Sequence, residues 1–247
     1  MFKYILLGAV QGLTEFLPVS SSGHLLIAQN LLGLSGEEIA LAIVLHLGTL
    51  IAVVVFFFKE ILEVLRDKAY LALVILVTFI TGVIGLIGKD FFEGLFSSTK
   101  AVVVSFLITG VILLLTRNFM SAKNEKIGTK DALILGFTQA IAILPGISRS
   151  GITISTLLFR KIEKEACFKF SFLISIPLIL GATLLEIRKI GSALEGNLAN
   201  LTAGFAASVI CGLIALFILK AVIKRAKFYY FGYYCILVAL LTLIFIK

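Results

Sequence analysis

Gln11, Glu15 and the run Pro18-Val19-Ser20-Ser21-Ser22-Gly23-His24 gather an amide, an acid, three hydroxyls and an imidazole into one short stretch of an otherwise apolar sequence. A second run, Ser148-Arg149-Ser150-Gly151, adds hydroxyls and a guanidinium. Both Ser/Gly clusters immediately precede apolar helical segments, so both aim unpaired backbone N–H groups and a positive helix end at whatever lies before them. Hydroxyls, an arginine fork and two helix N-termini suit a phosphate, and a diphosphate above all, better than a carboxylate or chloride. Ser20, Ser21, Ser22, Gly23, Ser148, Ser150 and Gly151 are the candidate anion ligands, with Gln11 a further substrate-binding candidate and one of the three consecutive serines expected only to cap its helix. His24 lies three residues after Ser21, where an imidazole can move a proton to or from a phosphate ester.

Glu15 needs a partner, since an acid at membrane depth costs roughly 3 kcal/mol on insertion scales. Arg149 is the candidate, being the only Arg or Lys between Lys130 and Arg160. On a helix running to Pro18, Gly8, Gln11, Gly12 and Glu15 share one face, and its two glycines permit close approach of another backbone. His46, in Leu45-His46-Leu47-Gly48-Thr49-Leu50, reads more readily as an imidazole bonded to a nearby carbonyl than as a member of the same cavity.

These residues must be positioned inside a bilayer. Hydrophobic residues make up 60% of the 247, charged residues only 15%, and mean hydropathy is +1.13, far beyond what a soluble core needs. Six apolar stretches, near 39–58, 70–88, 101–117, 167–187, 200–220 and 228–246, are long enough, or nearly so, to cross a hydrocarbon core. Two more, 1–32 and 131–159, are broken at their centres by a proline and a Ser/Gly cluster. The stretches from Gly8 to Gly23 and from Gly136 to Gly151 share G-x-x-Q, a Leu-Pro and S-x-S-G, with Gln11/Gln139 and Gly23/Gly151 at one offset of 128. That predicts an all-α polytopic membrane protein, a single integral membrane domain of two inverted repeats, about 1–117 and 131–247, joined by a linker at 118–130. Each repeat holds one re-entrant helix pair and three transmembrane helices.

Charge tests the arrangement independently. Loops at 59–68, 117–130, 160–164 and 220–227 hold fourteen Lys and Arg on one side, against six (Lys3, Lys89, Lys100, Arg188, Lys189, Lys247) on the other. The positive-inside rule makes the first group cytoplasmic, so both termini and the mouth of the first broken pair face outward. The net charge of +8 is thereby accounted for without nucleic acid. The apolar N-terminal run lacks a small-residue cleavage site and is expected to stay on the mature protein. Cys167, Cys211 and Cys235 are isolated and read as packing residues. Tyr229, Tyr230, Tyr233 and Tyr234 suit an aromatic belt at the interface.

The stretch Gln11-Gly12-Leu13-Thr14-Glu15-Phe16-Leu17-Pro18-Val19-Ser20-Ser21-Ser22-Gly23-His24 resembles the first motif of the undecaprenyl-diphosphate phosphatases, the bacitracin-resistance proteins of bacterial envelopes. Pro145-Gly146-Ile147-Ser148-Arg149-Ser150-Gly151 resembles their second. The similarity covers nearly the whole chain. It implies hydrolysis of undecaprenyl diphosphate to undecaprenyl phosphate and phosphate, recycling the lipid carrier for peptidoglycan synthesis and conferring bacitracin resistance, in the bacterial inner membrane with the site open outward. By position it implies Ser21 as nucleophile, His24 as the motif's histidine, Arg149 as its arginine, and Glu15 and Gln11 as the paired acidic or amide positions. It also implies a divalent cation, Mg²⁺ or Ca²⁺, for which Glu15 is the candidate ligand. Gln11, one of two residues the family accepts there, is a polar positioning group rather than a metal ligand. Attack by Ser21 and attack by an activated water both fit this set.

The competing reading is a lipid-phosphate transporter or flippase, which inverted repeats, broken helices and a midplane anion site also fit. The second repeat lacks an acid or imidazole, with Ala142 or Ile143 near the Glu15 position and Ile152 or Thr153 near that of His24. Asymmetric chemistry on a symmetric architecture favours an enzyme.

Overall fold

The computed structural model describes residues 1–33, 38–96, 98–121, 123–124, 126–186 and 198–245. Arg188, Lys189 and Lys247, which enter the charge count, lie outside them. Apart from an isolated bridge between Asn124 and Ile162, the regular structure of the described residues is all helical. In chain order the helices are α1 (Phe2–Phe16), α2 (Ser21–Leu32), α3 (Glu38–Phe56), α4 (Phe58–Arg66), α5 (Lys68–Ile87), α6 (Lys89–Phe96), α7 (Thr99–Leu115), α8 (Thr129–Ile141), α9 (Arg149–Phe159), α10 (Lys164–Glu186), α11 (Leu198–Lys224) and α12 (Tyr230–Phe245).

The six predicted stretches correspond to α3, α5, α7, α10, α11 and α12. Helices α5, α10, α11 and the stretch 100–119 are long and apolar enough to cross a membrane; α3 bends by 74° into α4, and α12 is a shorter apolar helix. Large apolar side chains stand exposed along them, including Phe79, Leu86, Val111, Phe217, Leu237 and Leu241. A surface of this kind is stable against lipid and not against water. The chain is an all-α, multi-pass membrane protein. Helix α4 turns charged residues (Lys59, Glu60, Glu63, Arg66) and exposed apolar ones (Phe58, Leu62, Leu65) to opposite purposes, the composition of a helix lying in the interface.

Each broken stretch is a helical hairpin closed at its open end by a polar tie. In the first, α1 and α2, Lys3 Nζ donates to Leu32 O (2.7 Å). In the second, α8 and α9, Arg160 Nε donates to Asp131 Oδ1 (2.7 Å). Pro18 and Pro145 end the incoming helices, since each lacks the N–H that a helix would use. Ser20 and Ser148 then start the outgoing ones, their Oγ atoms accepting from Gly23 N (3.4 Å) and Gly151 N (3.1 Å). The first tip has one residue between proline and cap, the second two. The shorter tip makes the reversal at Ser20 itself, with φ 67°, whereas the longer one makes it at Gly146, with φ 89°. Only glycine adopts that region without steric cost.

Helix contacts repeat across the two halves: α1 packs on α11 and α8 on α5, while α7 and α12 pack on each other. The first contact is the tightest. A Cβ on Gly8 would fall 2.2 Å from Gly204 O, and one on Gly12 2.6 Å from Ser208 O. The two predicted glycines therefore bring α1 against the backbone of α11. The largest apolar core, with Phe16, Phe57, Phe168, Phe170 and Phe172, lies below the hairpin tips and fixes α1 against α3 and α10.

Candidate functional site

The tips of the two hairpins meet. Ser22 Oγ accepts from Gly146 N (3.4 Å), and Ser150 Oγ donates to Leu17 O (3.3 Å), each serine tying its own tip to the other. Helix α7 supports both. Thr109 Oγ1 donates to Gly146 O and accepts from Ser148 N, each at 3.2 Å, and the Phe106 ring packs against Gly23. The hydroxyls of Ser20, Ser22, Ser148 and Ser150, and the N–H groups of Gly23 and Gly151, are thus engaged in caps and ties. The six groups expected to bind the anion therefore also hold the two tips together. One serine of the first three was expected only to cap, and Ser20 is that residue.

What the ties bring together is a cluster centred on Glu15, whose side chain is 8% exposed. Arg149 Nη2 donates to Glu15 Oε1 (3.0 Å), the partnership expected from sequence. Ser21 Oγ donates to Glu15 Oε2 (2.6 Å), and Gln11 Nε2 donates to the same oxygen (3.1 Å). A short hydroxyl-to-carboxylate bond is a charge-assisted one, and it points the Ser21 proton at a base. Arg149 also lies over the Phe172 ring at 5.7 Å, which holds the guanidinium plane. Two buried polar atoms of the cluster have no partner, Arg149 Nη1 and Gln11 Oε1. Buried groups of that kind are costly unless something else completes them, and a donor and an acceptor left open beside Ser21 mark where a ligand fits.

His24 is not in this cluster. Its Nδ1 lies 2.7 Å from Ser20 O and its Nε2 2.8 Å from Tyr234 Oη, and the ring stacks on Tyr234 and meets Phe106 edge-on. The imidazole expected to serve a phosphate at Ser21 thus has its two nitrogens on Ser20 and Tyr234. Helical spacing placed His24 and Ser21 on one face, but the rotamer turns the imidazole toward α12. Tyr234 gives its hydroxyl to this contact while staying exposed like Tyr230 and Tyr233, and Arg117 lies over the Tyr229 ring.

The residue undervalued by sequence is His46. Its Nδ1 lies 2.7 Å from Ala42 O, the carbonyl bond anticipated, but its Nε2 lies 3.7 Å from Glu15 Oε2. The signal was its location, since an ionisable side chain within a span marks a functional site by default.

Glu15, the candidate metal ligand, accepts one bond at Oε1 from Arg149 and two at Oε2 from Ser21 and Gln11, and the guanidinium at 3.0 Å already neutralises it. Among the described residues no group of three or more His, Cys, Asp or Glu side chains is arranged to hold a metal ion.

Comparison with known proteins yields one family throughout. The sequence profile of the family described as bacitracin resistance protein BacA matches residues 4–241. The chain is 40% identical over 255 residues to an undecaprenyl-diphosphatase of Halothermothrix orenii, covering 99% of this chain and 97% of that one. It is 41% identical to an undecaprenyl-diphosphatase of Alkaliphilus metalliredigens (99% and 98% covered) and 42% identical to one of Thermotoga petrophila (96% and 98% covered).

Proposed function

We infer, from a chain that belongs to the bacitracin resistance protein BacA family, that it is an undecaprenyl-diphosphate phosphatase, hydrolysing undecaprenyl diphosphate to undecaprenyl phosphate and inorganic phosphate. The observation that carries this reading is the open Arg149 Nη1, buried on a guanidinium that Glu15 holds beside Ser21 Oγ. A diphosphate requires neutralised non-bridging oxygens and an in-line nucleophile. Arg149 offers the first, aided by the N-terminal amides of α2 and α9. Ser21 offers the second. Its Oγ bonds to the terminal phosphorus as the bridging P–O bond breaks, undecaprenyl phosphate leaves with the electron pair, and the Ser21 proton passes to Glu15 Oε2. Gln11 steadies that carboxylate by donating to the same oxygen. His24 and Tyr234 hold the first turn of α2, and so Ser21, in place.

The Mg²⁺ or Ca²⁺ that the family resemblance implies would enter with the phosphate oxygens of the substrate, its one candidate protein ligand being Glu15, already neutralised by Arg149, and would add neutralising charge there. The polyprenyl chain needs only an opening to lipid. On the charge bias, the two halves are inverted copies in the bacterial inner membrane, with both termini and the mouth of the first hairpin outward. A transporter would also use Arg149, but it has no use for a serine hydroxyl bonded to a buried carboxylate.

The test is phosphate release from undecaprenyl diphosphate by purified protein in detergent with Mg²⁺ or Ca²⁺, beside Arg149→Ala. Release that the substitution abolishes in a folded variant supports the reading. No release under any metal condition, with lipid-phosphate flux in liposomes, would replace it with the transporter.

A further inference from the structure

Covalent hydrolysis has two half-reactions, and each has a proton to place. In the first, Glu15 takes the proton of Ser21. With glutamine at position 11, Glu15 is the single carboxylate of the cluster among the described residues. A second acceptor would let Glu15 keep that proton and return it to the Ser21 oxygen when the phosphoserine breaks, while the attacking water gives its own proton elsewhere.

We propose that His46 is this second base, accepting the proton of the attacking water at Nε2. Three observations carry the assignment. Ala42 O is an acceptor only, so the 2.7 Å contact fixes the proton of the neutral imidazole on Nδ1 and leaves Nε2 with a free lone pair. That lone pair faces Glu15 Oε2 at 3.7 Å, where two acceptors cannot bond each other but a water donor can serve both. The His46 side chain is 35% exposed while Glu15 is 8% exposed, so the imidazole borders the open side of the cluster from which water and substrate arrive. The other charged groups of the cluster are Glu15 and Arg149, and His24 is turned to Tyr234.

The step balances. Water oxygen bonds to phosphorus, the Ser21 Oγ–P bond breaks, Oγ recovers its proton from Glu15, and the water proton goes to His46. The imidazolium then loses it to solvent as phosphate departs. This inference rests on the phosphatase reading and on Ser21 as nucleophile.

Rapid-quench kinetics on His46→Gln separates the steps, because the amide preserves a contact but cannot take a proton. With undecaprenyl diphosphate, the expected result is an intact first burst of undecaprenyl phosphate and steady-state turnover slowed about 100-fold, typical of a lost general base. Phosphoserine accumulates at Ser21, the melting temperature holds, and Gln11→Glu in the His46→Gln background restores turnover by supplying a second carboxylate. Turnover by His46→Gln within twofold of wild type, or slowed turnover without phosphoserine, would overturn the proposal while leaving the phosphatase intact. Wild-type protein that releases no phosphate would remove the phosphatase reading and this inference together.

Discussion

The two hairpin tips are built alike and used differently. Both put a serine at the cap, both place the two serine hydroxyls of S-x-S-G 3.3 Å apart, and both direct a glutamine amide at the start of the tip toward an oxygen acceptor. The middle residue of S-x-S-G is Ser21 in the first tip and Arg149 in the second, and both reach the same carboxylate from opposite sides. The same serine arrangement thus carries an acid and a hydroxyl in the first tip and a guanidinium in the second. The second tip, with Ile143 at the position of Glu15, has the arrangement without a base.

The sharpest way to break this comparison is to remove the acid and its counterpart in turn. Glu15→Ala is expected to lower kcat about 1000-fold, the scale of losing a preorganised charged group in a dry site, while Ile143→Ala changes it less than about threefold, in the manner of a substitution away from the reacting groups. Phosphate release by the two purified variants decides it, and equal losses would dissolve the distinction.

Packing sharpens it next. Gly8→Ala drives a methyl group into the Gly204 carbonyl and is expected to cost about 3 kcal/mol, at the upper end for overpacking. Gly136→Ala meets Ile80 Cβ at 2.8 Å, a longer approach than the 2.2 Å at Gly8, and should cost about 2 kcal/mol. Thermal unfolding in detergent reads both.

Smaller still is the cap. Ser148→Ala should destabilise by about 1 kcal/mol, measured by denaturation, and reduce turnover only through the placement of Arg149. The smallest effect concerns metal. Chelation should slow hydrolysis but leave the melting temperature of substrate-free protein unmoved, since a resident ion would stabilise the fold by mass action.

Much of this was legible in sequence because the informative residues break strong rules. A proline and hydroxyls inside apolar stretches predict hairpins, and a buried acid predicts its cation, so α1/α2, α8/α9 and the pairing of Glu15 with Arg149 were all readable. The offset of 128 made the second tip readable from the first. The missing parts are contacts between residues remote in sequence and directions of side chains. Nothing local tells that Ser22 ties to Gly146, that His24 turns to Tyr234, or that His46 faces Glu15. Helical spacing assigns a face, whereas rotamers and neighbouring helices decide what that face meets. The one-residue difference between the tips was visible, but its placement of positive φ on Ser20 rather than on a glycine was not.

Attack on the diphosphate by Ser21, activated by Glu15, is tested most directly by acid quenching of the enzyme during turnover of undecaprenyl diphosphate labelled in the terminal phosphate. Label is expected on Ser21 within the first turnover, absent from Ser21→Ala, which also loses turnover. Full turnover without labelled protein, together with an active Ser21→Ala, would contradict it.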